Sequence, residues 1–165
     1  GKGAVLREGF ARALSAGAKA AVTLDADGQH DPREISRLID TWRATGAALV
    51  IGSREHLEAG MQPARRFGNR FSRAALSHFS GVSVPDGQSG FRLYDAALLR
   101  SVRLRGTRYE LESEVIVKAA RAGFSVVSVP IRLETTDGKG TSHFRPWRDT
   151  ARICTRVVLS RFWTA

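Results

Sequence analysis

Ala20-Ala21-Val22-Thr23-Leu24-Asp25-Ala26-Asp27-Gly28-Gln29-His30-Asp31-Pro32 is the stretch on which the reading of this chain turns. Ala20 to Leu24 is a short apolar run of the kind that forms a buried strand, and the polar cluster Asp25 to Asp31 ends it. Asp31 then offers the side-chain acceptor of a helix N-cap, Pro32 suits the first helical position and Glu34 the third. Ile35, Leu38, Ile39 and Trp42 follow on one face. In extended backbone alternate residues point the same way, so Asp25 and Asp27 can converge, with Gln29 next as a neutral oxygen donor. Oxygen ligands of this kind suit Mg²⁺ or Mn²⁺, which commonly bridge a diphosphate. A turn whose acids merely cap the next helix is the competing account; it explains Asp31 and leaves Asp25 and Asp27 without a role.

Upstream, Leu6, Phe10, Ala13 and Leu14 recur at helical spacing in a segment that can close at Gly17. Downstream, Ala48 to Gly52 reads as a second buried strand, about Arg65 to Phe79 as a helix, and Ser89 to Tyr94 as a strand. Leu111 to Ala122 reads as a helix, and Phe124 to Leu133 as a strand that tolerates Pro130 near its end. Residues 134–146 read as a loop. Strands alternating with helices predict a mainly parallel α/β sheet flanked by helices, with ligands gathered at the carboxyl ends of the strands. The polar cluster after Leu24 lies at such an end.

Bulk properties narrow the function. The chain has 165 residues, 42% of them apolar, enough for one core of ordinary size. A single cysteine, Cys154, excludes an internal disulfide framework and a multi-thiolate metal site, so a cytosolic setting fits best. No run reaches the roughly 18 apolar residues of a membrane-spanning helix, so membrane contact is expected at the surface. The formal charge of +10 draws the chain toward phosphates, whether of nucleic acid, lipid headgroups or nucleotides. The chain opens at Gly1-Lys2-Gly3 without a Met, already at the entrance to a helix, and a further N-terminal segment is expected. Residues 1–146 are expected to form the catalytic domain. Residues 147–165 combine Ile153, Val157, Val158, Leu159 and Phe162 with Arg148, Arg152, Arg156 and Arg161, as a basic amphipathic helix does; with Trp147 and Trp163 it suits an anionic membrane interface or packing on the domain.

Other residues bear on chemistry. Arg54 ends a strand, and Arg65 and Asn69 lie four apart on one helical face, an arrangement able to hold anionic oxygens or simply to stay solvated. In Asp86-Gly87-Gln88-Ser89-Gly90-Phe91-Arg92 the glycines let backbone approach a substrate that Asp86 or Gln88 hydrogen-bonds, or else the segment is an ordinary Asp-Gly turn. Glu112 and Glu114 open a helix, where acids also complement the helix dipole.

In this order the motifs resemble the family 2 glycosyltransferases of the GT-A fold, and among them the dolichol-phosphate mannosyltransferase-like, or polyprenyl-phosphate glycosyltransferase, branch. The resemblance runs through Gly1-Lys2-Gly3-Ala4, Leu24 to His30, Ile51-Gly52-Ser53-Arg54, Arg65 to Arg70, Gln88 to Tyr94, Glu112-Ser113-Glu114 and Val129-Pro130-Ile131. It implies that Asp25, Asp27 and Gln29 hold a Mg²⁺ or Mn²⁺ ion on the diphosphate of a UDP- or GDP-linked sugar, with Asp27 counted as catalytic through that ion. It implies that Arg54, Arg65, Asn69, Asp86, Gln88 and Arg92 contact donor or acceptor, and that Glu112 or Glu114 is a base if the acceptor is a hydroxyl. A phosphate acceptor is already ionised near neutral pH and needs none. Ser142 and His143 stand in a loop that in dolichol-type members more often reads Ser-Lys; unlike Lys, His143 can lose its charge near neutral pH. The expected reaction is sugar transfer to a lipid phosphate with inversion, at the inner face of the cell membrane. A glycosyltransferase acting on a saccharide or protein hydroxyl is the alternative. A nucleic-acid-binding module is a remoter one, lacking a recognition motif and leaving the Asp-x-Asp cluster unexplained.

Overall fold

The computed structural model describes residues 1–54, 73–74, 76–132, 155 and 159. Helix α1 (Lys2–Ser15) leads into strand β1 (Ala20–Thr23). Asp31 caps the next helix as its sequence predicts, its carboxylate accepting from Arg33 N; the first turn is a 3-10 turn, Pro32–Glu34, before helix α2 (Ile35–Thr45). Strand β2 (Leu49–Ser53), strand β3 (Arg92–Asp95), helix α3 (Ala96–Ser101), helix α4 (Glu110–Arg121) and strand β4 (Val126–Pro130) follow. The short α3, which has no counterpart among the expected elements, is capped by Asp95, whose carboxylate accepts from Ala97 N at 2.7 Å. Of the helix expected over about 65–79, residues 73, 74 and 76–79 are helical among those described, and residue 80 extends it.

The strands form one sheet in the order β1-β3-β2-β4. β2 and β4 pair in parallel, while β3 pairs antiparallel with β1 on one side and β2 on the other. Three of the four strands among the described residues therefore run one way, and β3 is threaded between two of them in reverse. This reversal brings the start of β3 to the C-terminal ends of its neighbours: Arg92 stands opposite both Thr23 of β1 and Ile51 of β2.

Helices cover both faces, which is why β2 is apolar without alternation. Leu49 and Ile51 pack with Phe10 of α1, Tyr94, Leu98 of α3 and Leu111, Val115 and Ile116 of α4. On the other face Val50 and Leu93 pack with Leu38 of α2, Phe91 and Ile131. The indole of Trp42 donates to Asp95 Oδ2 at 2.9 Å and ties α2 to the far end of β3. No helix among the described residues is long and apolar enough to cross a membrane.

Candidate active site at the strand ends

Three segments meet at one end of the sheet: the acidic turn after β1, Arg54 directly after β2, and the segment that enters β3. The turn begins at Asp25, two residues beyond the last strand residue. Asp27 Oδ1 accepts from Gln29 N at 3.1 Å, the side-chain-to-backbone contact that favours Asp in turns, while Asp27 itself is exposed. His30 closes the turn from behind. Its Nδ1 accepts from Asp25 N at 3.3 Å, and its ring stacks on Phe91 at 5.2 Å between centroids. Burial holds the His30 pKa below its ordinary value, so the ring is neutral with its proton on Nε2, which has no partner among the described residues.

The segment entering β3 lies against this turn. Thr23 Oγ1 donates to Gly90 O at 2.8 Å. A Cβ on Gly90 would fall 2.5 Å from Asp25 Oδ1 and 2.6 Å from its Cγ, closer than side chains approach, so the Asp25 carboxylate sits where only glycine leaves room.

Arg54, one residue past β2, grips Asp86 with a fork: Nε to Oδ2 at 2.7 Å and Nη2 to Oδ1 at 3.2 Å, with Arg54 N also donating to Oδ2. Burial would push the Asp86 carboxyl up, but the Arg54 hydrogen bonds and charge hold it below its ordinary value; Arg54 in turn is raised against its own desolvation. Both residues were expected to touch substrate, and the structure brings them together as a pair at the rim of the site. Gln88 is half-buried in the same segment.

Arg92 is placed differently from the other expected substrate contacts. It is fully buried, and its donors go to three carbonyls: Nε to Ser89 O at 2.6 Å, Nη1 to Glu112 O at 2.7 Å and Nη2 to Gly87 O at 2.7 Å. It laces the 87–89 loop to the first turn of α4 from inside the protein and presents no face to a ligand.

The two acids of α4 part company, because residues two apart on a helix point about 200° away from one another. Glu114 turns into the core, where its oxygens accept from Arg105 N at 3.0 Å and Gly106 N at 2.6 Å and pair with Lys118 at 3.1 Å. It stabilises a loop and is out of reach of the strand ends. Glu112 faces the site. Its Oε1 lies 2.7 Å from Lys2 Nζ as an ion pair, and burial raises its pKa against the opposing charges of Arg92 and Lys2.

Lys2 is the residue that motif reasoning missed. Its Nζ also donates to Asp25 Oδ1 at 2.5 Å, so one ammonium bridges the acidic turn and Glu112. Desolvation opposes its charge, yet Glu112 and Asp25 together raise its pKa. Gly3 makes this reach possible: a Cβ there would meet Arg108 O at 2.7 Å and the Thr107 carbonyl carbon at 2.8 Å, so glycine lets α1 dock its first turn on the 107–108 backbone. The signal available in the sequence was Gly1-Lys2-Gly3, whose pairing with a turn 23 residues away only the fold reveals.

For a divalent cation the residues present are a fair match. Asp25 and Asp27 are hard carboxylate donors at the end of β1, and the place beside Asp25 already holds a cationic group. No group of three or more His, Cys, Asp or Glu capable of holding an ion occurs among the described residues. Mg²⁺ with a nucleotide usually takes one or two protein carboxylates and fills its other positions with phosphate and water. Arg65, Asn69, Ser142 and His143 lie outside the described residues, as does the tail over 147–165 apart from Thr155 and Leu159, both helical and exposed.

Comparison with known proteins decides the family. The profile of glycosyl transferase family 2 matches residues 1–103. The chain belongs to this family. It is 37% identical over 142 residues to a polyprenol monophosphomannose synthase of Mycolicibacterium smegmatis, covering 79% of this chain and 51% of that protein. It is 32% identical over 142 residues to a UDP-N-acetylglucosamine–dolichyl-phosphate N-acetylglucosaminyltransferase of Methanococcus voltae, covering 83% of the chain and 57% of the relative. An undecaprenyl-phosphate mannosyltransferase of Micrococcus luteus is 33% identical over 141 residues, with coverage of 79% and 56%. This member of the family thus spans a little over half the length of those relatives. The crystal structure of glucosyl-3-phosphoglycerate synthase from Mycobacterium tuberculosis superposes with a TM-score of 0.67 over 98% of this chain and 55% of that one; at 18% identity it shows the shared GT-A fold alone.

Proposed function

We propose that the protein transfers a sugar from a UDP- or GDP-linked donor to a polyprenyl-phosphate-type lipid, with inversion, as a divalent-metal-dependent hexosyltransferase of family 2. The observation that carries the reading is the position of Asp25 just past the carboxyl end of β1, bridged by Lys2 to Glu112 and near the charged Arg54–Asp86 pair, in the customary ligand crevice of open α/β folds. The polyprenyl, dolichyl and undecaprenyl acceptors in the names of the three relatives support the acceptor class.

In this reading Asp25, Asp27 and Gln29 hold Mg²⁺ or Mn²⁺, which when bound offsets charge on the departing nucleoside diphosphate. Gly90 and His30 set the Asp25 carboxylate and its backbone in position. Arg54 stays fully charged beside the centre and offers the remaining edge of its guanidinium to phosphate oxygens. The acceptor phosphate is already anionic and attacks the anomeric carbon without a base; Glu112 then serves to hold Lys2. The basic tail over 147–165 rests on the anionic inner face of the membrane and brings the site to the lipid headgroup.

A second reading is favoured by one observation: Glu112 is a buried carboxylate with a raised pKa at the edge of the centre, which are the properties of a general base. Under it the acceptor is a saccharide or protein hydroxyl. Calorimetric titration of UDP and GDP into the protein, with Mn²⁺ and with EDTA, tests what both readings share. They require nucleoside diphosphate binding that Mn²⁺ strengthens and Asp27→Ala removes; binding indifferent to both changes counts against them.

A further inference from the structure

We propose that Lys2 is a positioning residue that keeps the cation seat of this centre filled, its ammonium bridging Asp25 and Glu112 until an incoming divalent cation takes Asp25 from it. The inference rests on the divalent-cation reading above.

The geometry makes Lys2 a local charge balance. Asp25 and Glu112 come from different parts of the chain, one from the turn after β1 and the other from the first turn of α4, and a single ammonium lies 2.5 Å from the first and 2.7 Å from the second. Glu112 is nearly inaccessible to solvent, with 5% of its side chain exposed, whereas the side chains of Lys2 and Asp25 retain 26% and 27%. The two halves of the bridge therefore differ. The Glu112 half is closed to water and to ions, and the Asp25 half opens to the crevice. A divalent ion arriving with a diphosphate can compete only for Asp25. The carboxylate lies close against the Gly90 backbone, and the contact from the Asp25 N–H to His30 holds the backbone that carries it.

Exchange is also chemically economical. When Lys2 loses Asp25 it keeps Glu112, so the buried carboxylate is never left without a counter-charge. The freed ammonium remains within reach of whatever anion the cation brings, since a flexible four-carbon stem carries it. Replacing Lys2 should have two separable effects: the cation finds Asp25 unoccupied and binds more tightly, and Glu112 is stranded, which lowers stability.

The test is Mn²⁺ binding to the full-length protein without nucleotide, followed by the paramagnetic signal of free Mn²⁺, for wild type, Lys2→Arg, Lys2→Met and Lys2→Met/Glu112→Gln, with thermal unfolding in parallel. We expect Lys2→Met to bind Mn²⁺ about tenfold more tightly, the scale on which a half-buried ion pair competes. We expect Lys2→Arg to stay near wild type. The double variant removes the stranded carboxylate, and it should regain thermal stability while keeping the tighter binding; that combination is one a merely structural lysine would not give. Equal Mn²⁺ affinity in wild type and the double variant overturns the role assigned to Lys2 and leaves the metal reading intact. Absence of Mn²⁺ binding in all four proteins overturns both.

Discussion

Arg54 and Asp86 are joined by two side-chain contacts of 2.7 and 3.2 Å, and the same carboxylate also accepts from the Arg54 backbone, so the strand end after β2 and the loop entering β3 are held as one unit. In the unfolded chain Asp86 takes up a proton near 3.8, and in the fold only at lower pH. Its contribution to stability is complete above 3.8 and is lost as pH falls through the folded value. Asp86→Asn should cost about 2 kcal/mol at neutral pH, less than a fully buried pair because Arg54 keeps some solvent contact. It should also flatten the acid limb of the stability profile. Urea unfolding of both proteins at pH 7 and pH 3 measures this; an equal cost at the two values contradicts it.

Gly90→Ala places a methyl group against the Asp25 carboxylate. Because the crowded group is the short Asp25 side chain and not the loose end of a long one, relief must come from moving Asp25 or the loop. We expect a stability loss of about 1–3 kcal/mol, as for overpacking elsewhere. Mn²⁺-dependent UDP or GDP binding should fall by more than the loss of folded protein explains. Wild-type affinity in the folded variant would show that Asp25 need not hold its seat.

Arg92→Lys should act as a severe change despite keeping the charge. A planar fork that reaches Ser89, Glu112 and Gly87 carbonyls cannot be copied by a single ammonium, and carbonyls left buried without donors are costly. We expect a loss of about 3 kcal/mol or more by denaturant unfolding, on the scale of two stranded carbonyls. A variant as stable as wild type would contradict the lacing role.

Glu112 and Glu114 should separate experimentally. Glu114→Gln leaves the nearly inaccessible Lys118 without its counter-charge and should lower stability by about 3–5 kcal/mol. Glu112→Gln distinguishes the acceptors. With a polyprenyl phosphate acceptor, turnover should persist within about tenfold, whereas a hydroxyl acceptor needing a base should lose about 10²–10⁴-fold. Single-turnover rates on each acceptor class decide between them.

What was legible in the sequence follows from the range of the interactions involved. The acidic turn and the Asp31 cap are set by neighbours within a few residues and stand where the pattern puts them; β1 is also in place, but as a half-buried edge strand that ends at Thr23 and leaves Leu24 exposed, because burial depends on which strands pair beside it. The reversal of β3 was not legible, because an apolar run carries no direction; only its pairing with β1 and β2 reveals it. Arg92 was expected to contact substrate on the strength of the family motif; arginines seldom enter cores, and here three carbonyls brought together by tertiary structure satisfy it. Glu112 and Glu114 looked equivalent until the helix turned them apart. Lys2 carried no motif logic of its own, since its partners lie 23 and 110 residues further along the chain.

The most direct test of the central claim is turnover by the full-length protein with undecaprenyl phosphate and a panel of radiolabelled UDP- and GDP-sugars, in the presence of Mn²⁺ and of EDTA. The account predicts label in the organic phase that requires the ion and disappears with Asp27→Ala. Label passing only to soluble glycans or protein, or lipid product formed equally well by Asp27→Ala, would contradict it.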